Sequence, residues 1–267
     1  MERMISYAQN REDVLLARLF PAGYRGFYVD IGANHPVNCS VTCHFYKHGW
    51  SGINVEPGRI FKELQAARPR DTNLNVAISD RSGEATFYEY PDRTTDSTLS
   101  AAVFDDNQKF DADCIKRTIP TTSLRELCER HVGDRTIDFM SIDVEGLEKM
   151  IIDNGDWRKY RPRVVIIEAT RPHSRETADI SWENTLLANG YLFANFDGLN
   201  RYYVREEDRG FLEKLDSPVC VHDEFDCYHT IVRIQHEVAR AQAAQRDSGS
   251  WLGQIRRHCS RLLSGKS

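Results

Sequence analysis

The chain has 267 residues, 40% of them hydrophobic and 28% charged, with a formal net charge of −5 and seven cysteines. That length and apolar content fit one large α/β domain with at most a small appendage, and exclude wholesale disorder. The net acidity gives no general case for nucleic-acid binding, and no run of 18 apolar residues signals a membrane span.

The opening MERMISYAQNRED lacks the apolar stretch of a secretory signal, and the scattered thiols read as reduced; a cytoplasmic protein is expected. Ser6 is placed to cap a helix over Tyr7–Leu19, which Pro21 and Gly23 end. Phe27–Ile31 is a nearly continuous apolar run, as in a buried parallel strand, and Val37–His48 reads as the helix after it. Gly52–Val55 is a second strand, Ile60–Ala67 a helix, Leu74–Ile78 a third strand and Ala85–Tyr90 an added one. Residues 91–118 are polar and irregular, and a loop of that length is usually functional or mobile.

Beyond it come a helix over Leu124–His131, capped by Thr122 or Ser123, and a strand Ile137–Ile142 ending in Asp143. A helix Glu145–Asn154 follows, then a strand Val164–Ile167 ending in Glu168, and a helix Ser181–Asn189 stopped by Gly190. Tyr191–Phe196 and Arg201–Val204 form a hairpin about Asp197-Gly198. Alternating strands and helices that close on an antiparallel pair predict a mostly parallel sheet with helices on both faces, a Rossmann-like α/β fold. Ligands on such sheets bind at the carboxyl ends of the strands.

The tail differs. Residues 230–267 hold seven Lys/Arg against two Asp/Glu, leaving the tail at +5 and the rest at −10. A polar helix over 229–246 is broken by Ser-Gly-Ser at 248–250, and WLGQIRRHCSRLL (251–263) then reads as a basic amphipathic helix. Such a segment lies on an anionic membrane surface, docks on a protein, or packs on its own domain. The division expected is therefore a domain over 1–229, with helix 6–19 and core 26–205, and a basic extension over 230–267. Peripheral contact at the inner membrane is the localisation this tail would add, and the oligomeric state is left open.

The chemistry centres on FYVDIGANHP. Gly32 permits close backbone approach to a ligand, and Asp30 at the strand end suits a cation such as an α-amino group. Glu56, at the end of the second strand, can accept two hydrogen bonds from ribose hydroxyls, or cap the next helix. The three glycines of a pyrophosphate-binding turn are missing, so S-adenosylmethionine fits better than NAD.

Seven segments, SYAQNREDVLLARLF, FYVDIGANHPVNCSVT, NVEP, VAISDRSGEATFY, IDFMSIDVEGLEKMII, VVIIEA and NFDGLNRYYV, stand in the order found in FkbM-type methyltransferases, which this chain resembles over roughly residues 5–205. The resemblance implies a class I S-adenosylmethionine-dependent methyltransferase fold with a seven-stranded sheet. It also implies O-methylation of a saccharide or natural-product hydroxyl, as in glycan modification. It puts Asp30, Gly32, Ala33 and Asn34 around the methionyl part of the cofactor, Glu56 on the ribose, and Ala77, Ser79 and Asp80 along the adenine, with Gln9 closing over it. Where many relatives have a glycine two positions after Asn34, this chain has Pro36.

Asp143 would sit near the departing methyl. Deprotonating an alcohol calls for a base of raised pKa or a metal that acidifies the hydroxyl. Asp143 and Glu145 are candidates for this chemistry, and Asp143 with Glu168 could hold Mg²⁺. Charge at a helix start is the plain alternative for Glu145 and Glu148. His173 is a candidate general base in the loop after a strand. Ser97, Thr98 and Ser100 are expected in a substrate-sorting lid. His35, Cys39, Cys43, His44 and His48 do not converge as zinc requires. An NAD-dependent oxidoreductase and a non-catalytic domain that recruits partners through its tail remain the alternatives.

Overall fold

All five residues of the strand Phe27–Ile31 are buried, because it runs between two parallel neighbours with helices packed on both faces. In the computed structural model, which describes residues 3–107, 113–171 and 174–244, this strand is the centre of the main sheet. Its strands are labelled in chain order: β1 (Phe27–Ile31), β2 (Ser51–Val55), β3 (Thr72–Leu74), β4 (Phe139–Ile142), β5 (Val164–Glu168), β6 (Tyr191–Phe196) and β7 (Asn200–Arg205). Among the described residues the sheet has seven strands in the order β6-β7-β5-β4-β1-β2-β3. β1 through β5 pair in parallel, and β7 runs antiparallel to both β5 and β6. The expected mostly parallel seven-stranded sheet is present, with the antiparallel strand inserted beside β5 rather than at the edge.

Side chains alternate across β1. Phe27, Val29 and Ile31 enter one core with Ile53, Val55, Met140, Ile142 and Ile167. Tyr28 enters the other with Phe45, Trp50, Phe139 and Ile166. Burying such side chains contributes roughly 1.5–3 kcal/mol each. Asp30 takes Tyr28's face one step further along, so the strand delivers a carboxylate where its apolar pattern would place another core residue.

Several local expectations are corrected. Residues Met4–Ser6 are a strand, paired in parallel with Phe225–Cys227, and the first helix is Glu12–Ala17. Ser6 caps nothing: its hydroxyl donates to Asp13 Oδ1 (2.7 Å), while Asp13 Oδ2 accepts from the Tyr7 N–H (2.7 Å). The helix expected over Val37–His48 shrinks to Cys43–Lys47. The buried Arg68 guanidinium donates to the Pro36 carbonyl (2.6 Å), Ser40 Oγ (3.1 Å) and the Thr42 carbonyl (3.5 Å), and Cys39 adopts a left-handed backbone. The Pro36 carbonyl and Ser40 hydroxyl thus serve a tertiary contact, while the Thr42 carbonyl also accepts from the Tyr46 N–H (2.9 Å) and opens the short helix.

The single third strand divides into β3 and Ala77–Ser79, which belong to different sheets. The polar stretch 91–118 holds a helix, Ala101–Asn107, and the first residues of a strand, Ile115–Ser123. That strand pairs antiparallel with Gly83–Glu89 and parallel with Ala77–Ser79, forming a three-stranded sheet beside the main one. The helix Leu124–His131 begins as expected, with Ser123 Oγ accepting from the Glu126 N–H (3.2 Å). The helices after Asp143 and Ser181 start later than expected, at Glu148 and Glu183. Residues 228–244 are helical, and the basic segment 251–263 lies outside the described residues.

Candidate active site

The carboxyl ends of β1, β2, β4 and β5 open on one cavity of about 430 Å³, at the point where the strand order reverses between β1 and β4. One end is built by the turn after β1. Gly32 and Ala33 both donate their N–H groups to the Val55 carbonyl (3.0 Å each), which folds the turn against β2. Gly32 has φ +87°, and a Cβ added there would overlap the backbone carbonyl oxygen of Asp143, just past β4. Only glycine lets the tips of β1 and β4 approach this closely. Asn34 is also left-handed, at φ +47°, and its N–H donates to Glu56 Oε2 (2.8 Å). Glu56 Oε1 accepts from the Gly58 N–H (2.6 Å).

Asp30 and Glu56 are both buried at this end. Burial pushes the Asp30 carboxyl up to about 6, against a lowering hydrogen bond from Thr42 Oγ1 (3.0 Å). Burial pushes Glu56 up to about 7, the two backbone N–H groups opposing it. Ala77, Ile78, Phe87, Val55 and Pro57 form the adjoining apolar wall. Ser79 and Asp80, which the resemblance puts along the adenine, are not among the residues of this wall. Ser79, the last residue of its short strand, donates to Asp80 Oδ1 (3.2 Å). Gln9 reaches the rim from the turn between strand 4–6 and the first helix, not from a helix.

Beside the turn after β1, past the tips of β4 and β5, Asp143, Glu145 and Glu168 each bring a carboxylate oxygen within 4.8 Å of the other two. Three negative charges at that spacing cannot all persist without a cation or a proton. Asp143 is accessible from the cavity, yet protein atoms crowd it and raise its pKa. It shares a hydrogen bond with Glu168, whose pKa rises far above the usual range through burial and the charges of Asp143 and Glu145. Glu145 is raised well above its ordinary value, first by burial and then by Asp143, Glu148 and Asp96. Its Oε2 is buried and has no hydrogen-bond partner among the described residues.

The segment 94–99 closes one side. Thr94 Oγ1 donates to Asn34 Oδ1 (3.0 Å), and Thr98 Oγ1 donates to the Glu145 carbonyl (2.8 Å). Thr170, Arg171, Ser174 and Arg175 border the cavity beyond β5. Ser97 and Thr98 line it, while Ser100 is not in its wall. His173 lies outside the described residues. The histidines and cysteines of 35–48 form no metal cluster among the described residues: His35 Nδ1 accepts from the Val37 and Asn38 N–H groups, and His44 stacks on His48.

Six acidic residues line the cavity, Asp30, Glu56, Asp96, Asp143, Glu145 and Glu168, against two cationic ones, Arg171 and Arg175. A ligand with ammonium and sulfonium charges fits such a wall; a pyrophosphate does not.

No curated protein matches the chain. Among solved structures it is similar to an FkbM methyltransferase from Methylobacillus flagellatus KT, at 16% identity and a TM-score of 0.44, over 70% of this chain and 44% of that one. A TehB-like SAM-dependent methyltransferase from Corynebacterium glutamicum aligns at 8% identity and a TM-score of 0.41, over 73% of this chain and 86% of that one. The Methanococcus jannaschii fibrillarin pre-rRNA processing protein aligns at 13% identity and a TM-score of 0.37, over 70% of each chain. The family model of the methyltransferase FkbM domain matches residues 30–193, from the acid of β1 into β6. The chain belongs to the FkbM family of S-adenosylmethionine-dependent methyltransferases.

Proposed function

We propose that this protein methylates a hydroxyl group on a saccharide or natural-product acceptor, with Glu145 as the base. The observation that carries this reading is Glu145, which lines an acidic cavity and whose buried Oε2 has no hydrogen-bond partner among the described residues. S-adenosylmethionine, when bound, supplies an electrophilic methyl group on a positively charged sulfur. Asp30 would accept from its ammonium, and Glu56 would exchange its backbone partners for ribose hydroxyls. Ala77, Ile78 and Phe87 would cover the adenine, and the 94–99 segment would exclude water, a competing acceptor. A carboxylate with an ordinary pKa is a weak base toward an alcohol. Raised by burial and neighbouring charges, Glu145 is better matched to receive the acceptor's proton. The acceptor would enter past Thr170, Arg171 and Ser174. The test is a transfer screen with labelled cofactor against nucleotide sugars, glycan extracts and hydroxylated natural products. Label confined to amine or thiol acceptors would contradict hydroxyl transfer.

The 4.8 Å spacing of Asp143, Glu145 and Glu168 favours a second reading, in which Mg²⁺ neutralises the trio and acidifies the acceptor hydroxyl. Protein stripped with EDTA should then lose at least about tenfold of its transfer rate and regain it with Mg²⁺. Full activity after stripping leaves the proton-sharing arrangement as the mechanism.

Binding should also depend on pH. Asp30 and Glu56 must be ionised to accept from the cofactor, and their ligand-free pKa values are about 6 and about 7. Acidification protonates Glu56 first and then Asp30, so each proton opposes the ligand. The affinity for S-adenosylhomocysteine is expected to fall on the order of tenfold between pH 8 and pH 6. A calorimetric affinity that is flat or rises over that interval would remove both carboxylates from the contact.

A further inference from the structure

Glu148 has a use beyond favourable charge at the start of its helix. The turn that carries Glu145 out of β4 is conformationally costly: Glu145 has φ +53° and Gly146 φ +98°. The first value is unusual for a residue with a side chain. Two groups hold the turn there. From the protein interior, Glu148, only 8% exposed, places its Oε1 to accept from the Val144 N–H (3.3 Å) and the Gly146 N–H (3.1 Å). These two amides flank Glu145. From the cavity side Thr98 Oγ1 donates to the Glu145 carbonyl; Val103 also packs on the turn, so close to Gly146 that an added Cβ would come within 2.7 Å of its Cγ2. Without the Glu148 acceptor, the two amides beside Glu145 would lose their partner and the left-handed residue would relax.

From this geometry we infer that Glu148 is a positioning residue, which grips the amides on either side of Glu145 and so aims that carboxylate at the transferred methyl. This rests on the proposed reading of the cavity as the methyl-transfer site. The acceptor hydroxyl never meets Glu148; it meets Glu145 in the orientation Glu148 enforces.

The test needs no acceptor. Sinefungin carries a primary amine where S-adenosylmethionine carries its methyl, so its affinity relative to S-adenosylhomocysteine reads the carboxylate aimed at that point. The full chain is titrated with both ligands by calorimetry as wild type, Glu145→Gln, Glu148→Ala and Glu148→Gln. The wild type should prefer sinefungin. Glu145→Gln and Glu148→Ala should each lower that preference by about tenfold, with S-adenosylhomocysteine affinity within about threefold of wild type. The double variant Glu145→Gln/Glu148→Ala should lose little more than either alone, since both act through one group. Glu148→Gln keeps an oxygen able to accept from both amides and should retain the preference within about twofold. Should Glu148→Ala fail to fold, Glu148→Asp, one methylene short of the amides, should show the same loss.

Two results overturn the inference while leaving the cofactor site intact. One is Glu148→Ala keeping the wild-type preference while Glu145→Gln loses it. The other is Glu148→Gln proving as damaging as Glu148→Ala. A wild-type chain that binds no S-adenosylhomocysteine overturns the reading of the cavity, and this inference with it.

Discussion

Replacing Gly32 by alanine is expected to abolish S-adenosylhomocysteine binding and to lower the melting temperature by on the order of 10 °C. Two effects combine at this position. The φ of +87° is strained for any residue with a Cβ, and that Cβ would overlap the Asp143 carbonyl oxygen. The obstacle is backbone, so no side chain can rotate away. Asp143 is held in turn by its N–H, which donates to the Ile31 carbonyl (3.0 Å), so relief requires the tips of β1 and β4 to separate. That separation displaces Asp30, the Asn34 amide and Asp143 together. Gly133 supplies the control: it has φ +63° and nothing within 4 Å of an added Cβ. Gly133→Ala should cost only about 1 kcal/mol, the backbone part alone, and leave ligand binding unchanged. Equal melting temperatures for the two variants would contradict the close approach of β1 and β4.

Glu145→Gln is expected to reduce the methyl-transfer rate on a hydroxyl acceptor by about 10²–10⁴-fold, the usual contribution of a positioned base. Glutamine preserves the volume and an accepting oxygen, so the turn, the Thr98 contact and cofactor affinity should survive. The loss should therefore appear in kcat, with KM for the cofactor close to wild type. A rate within about threefold of wild type would instead assign the proton to Asp143, to Glu168 or to solvent.

Much of the architecture is legible in the residues. The apolar runs at 27–31, interrupted only by Asp30, and at 164–167 read as buried strands, and Asp197-Gly198 marks the hairpin directly. Where the reading goes astray, long-range contacts override local pattern. The expected helix over 37–48 is cut short where Cys39 turns left-handed and Arg68, 28 to 32 residues away, engages the Pro36 carbonyl and the Ser40 hydroxyl. The strand Ile115–Ser123 is hidden because its first half is solvated, with Lys116, Arg117 and Thr118 between Ile115 and Ile119, so it shows no clear apolar period while its backbone still pairs with Gly83–Glu89.

The candidate site divides in the same way. Asp30, Gly32, Asn34 and Glu56 are visible because they interrupt apolar strands or follow them immediately. Ile78 and Phe87 are not, since apolar residues on strands look like core whichever wall they face. The role of Glu148 is invisible in sequence, because an acid in the first turn of a helix is ordinary; only the two amides on its Oε1 give it another use.

The account depends most on Asp30 and Glu56 gripping the ammonium and ribose of one sulfonium cofactor. Calorimetry of the wild-type chain with S-adenosylhomocysteine and with NADH, repeated on Asp30→Ala and Glu56→Ala, tests it most directly. The expected result is binding of S-adenosylhomocysteine alone by the wild type, weakened by at least about tenfold in each variant. Undiminished binding in both variants, or binding of NADH in place of S-adenosylhomocysteine, would contradict it.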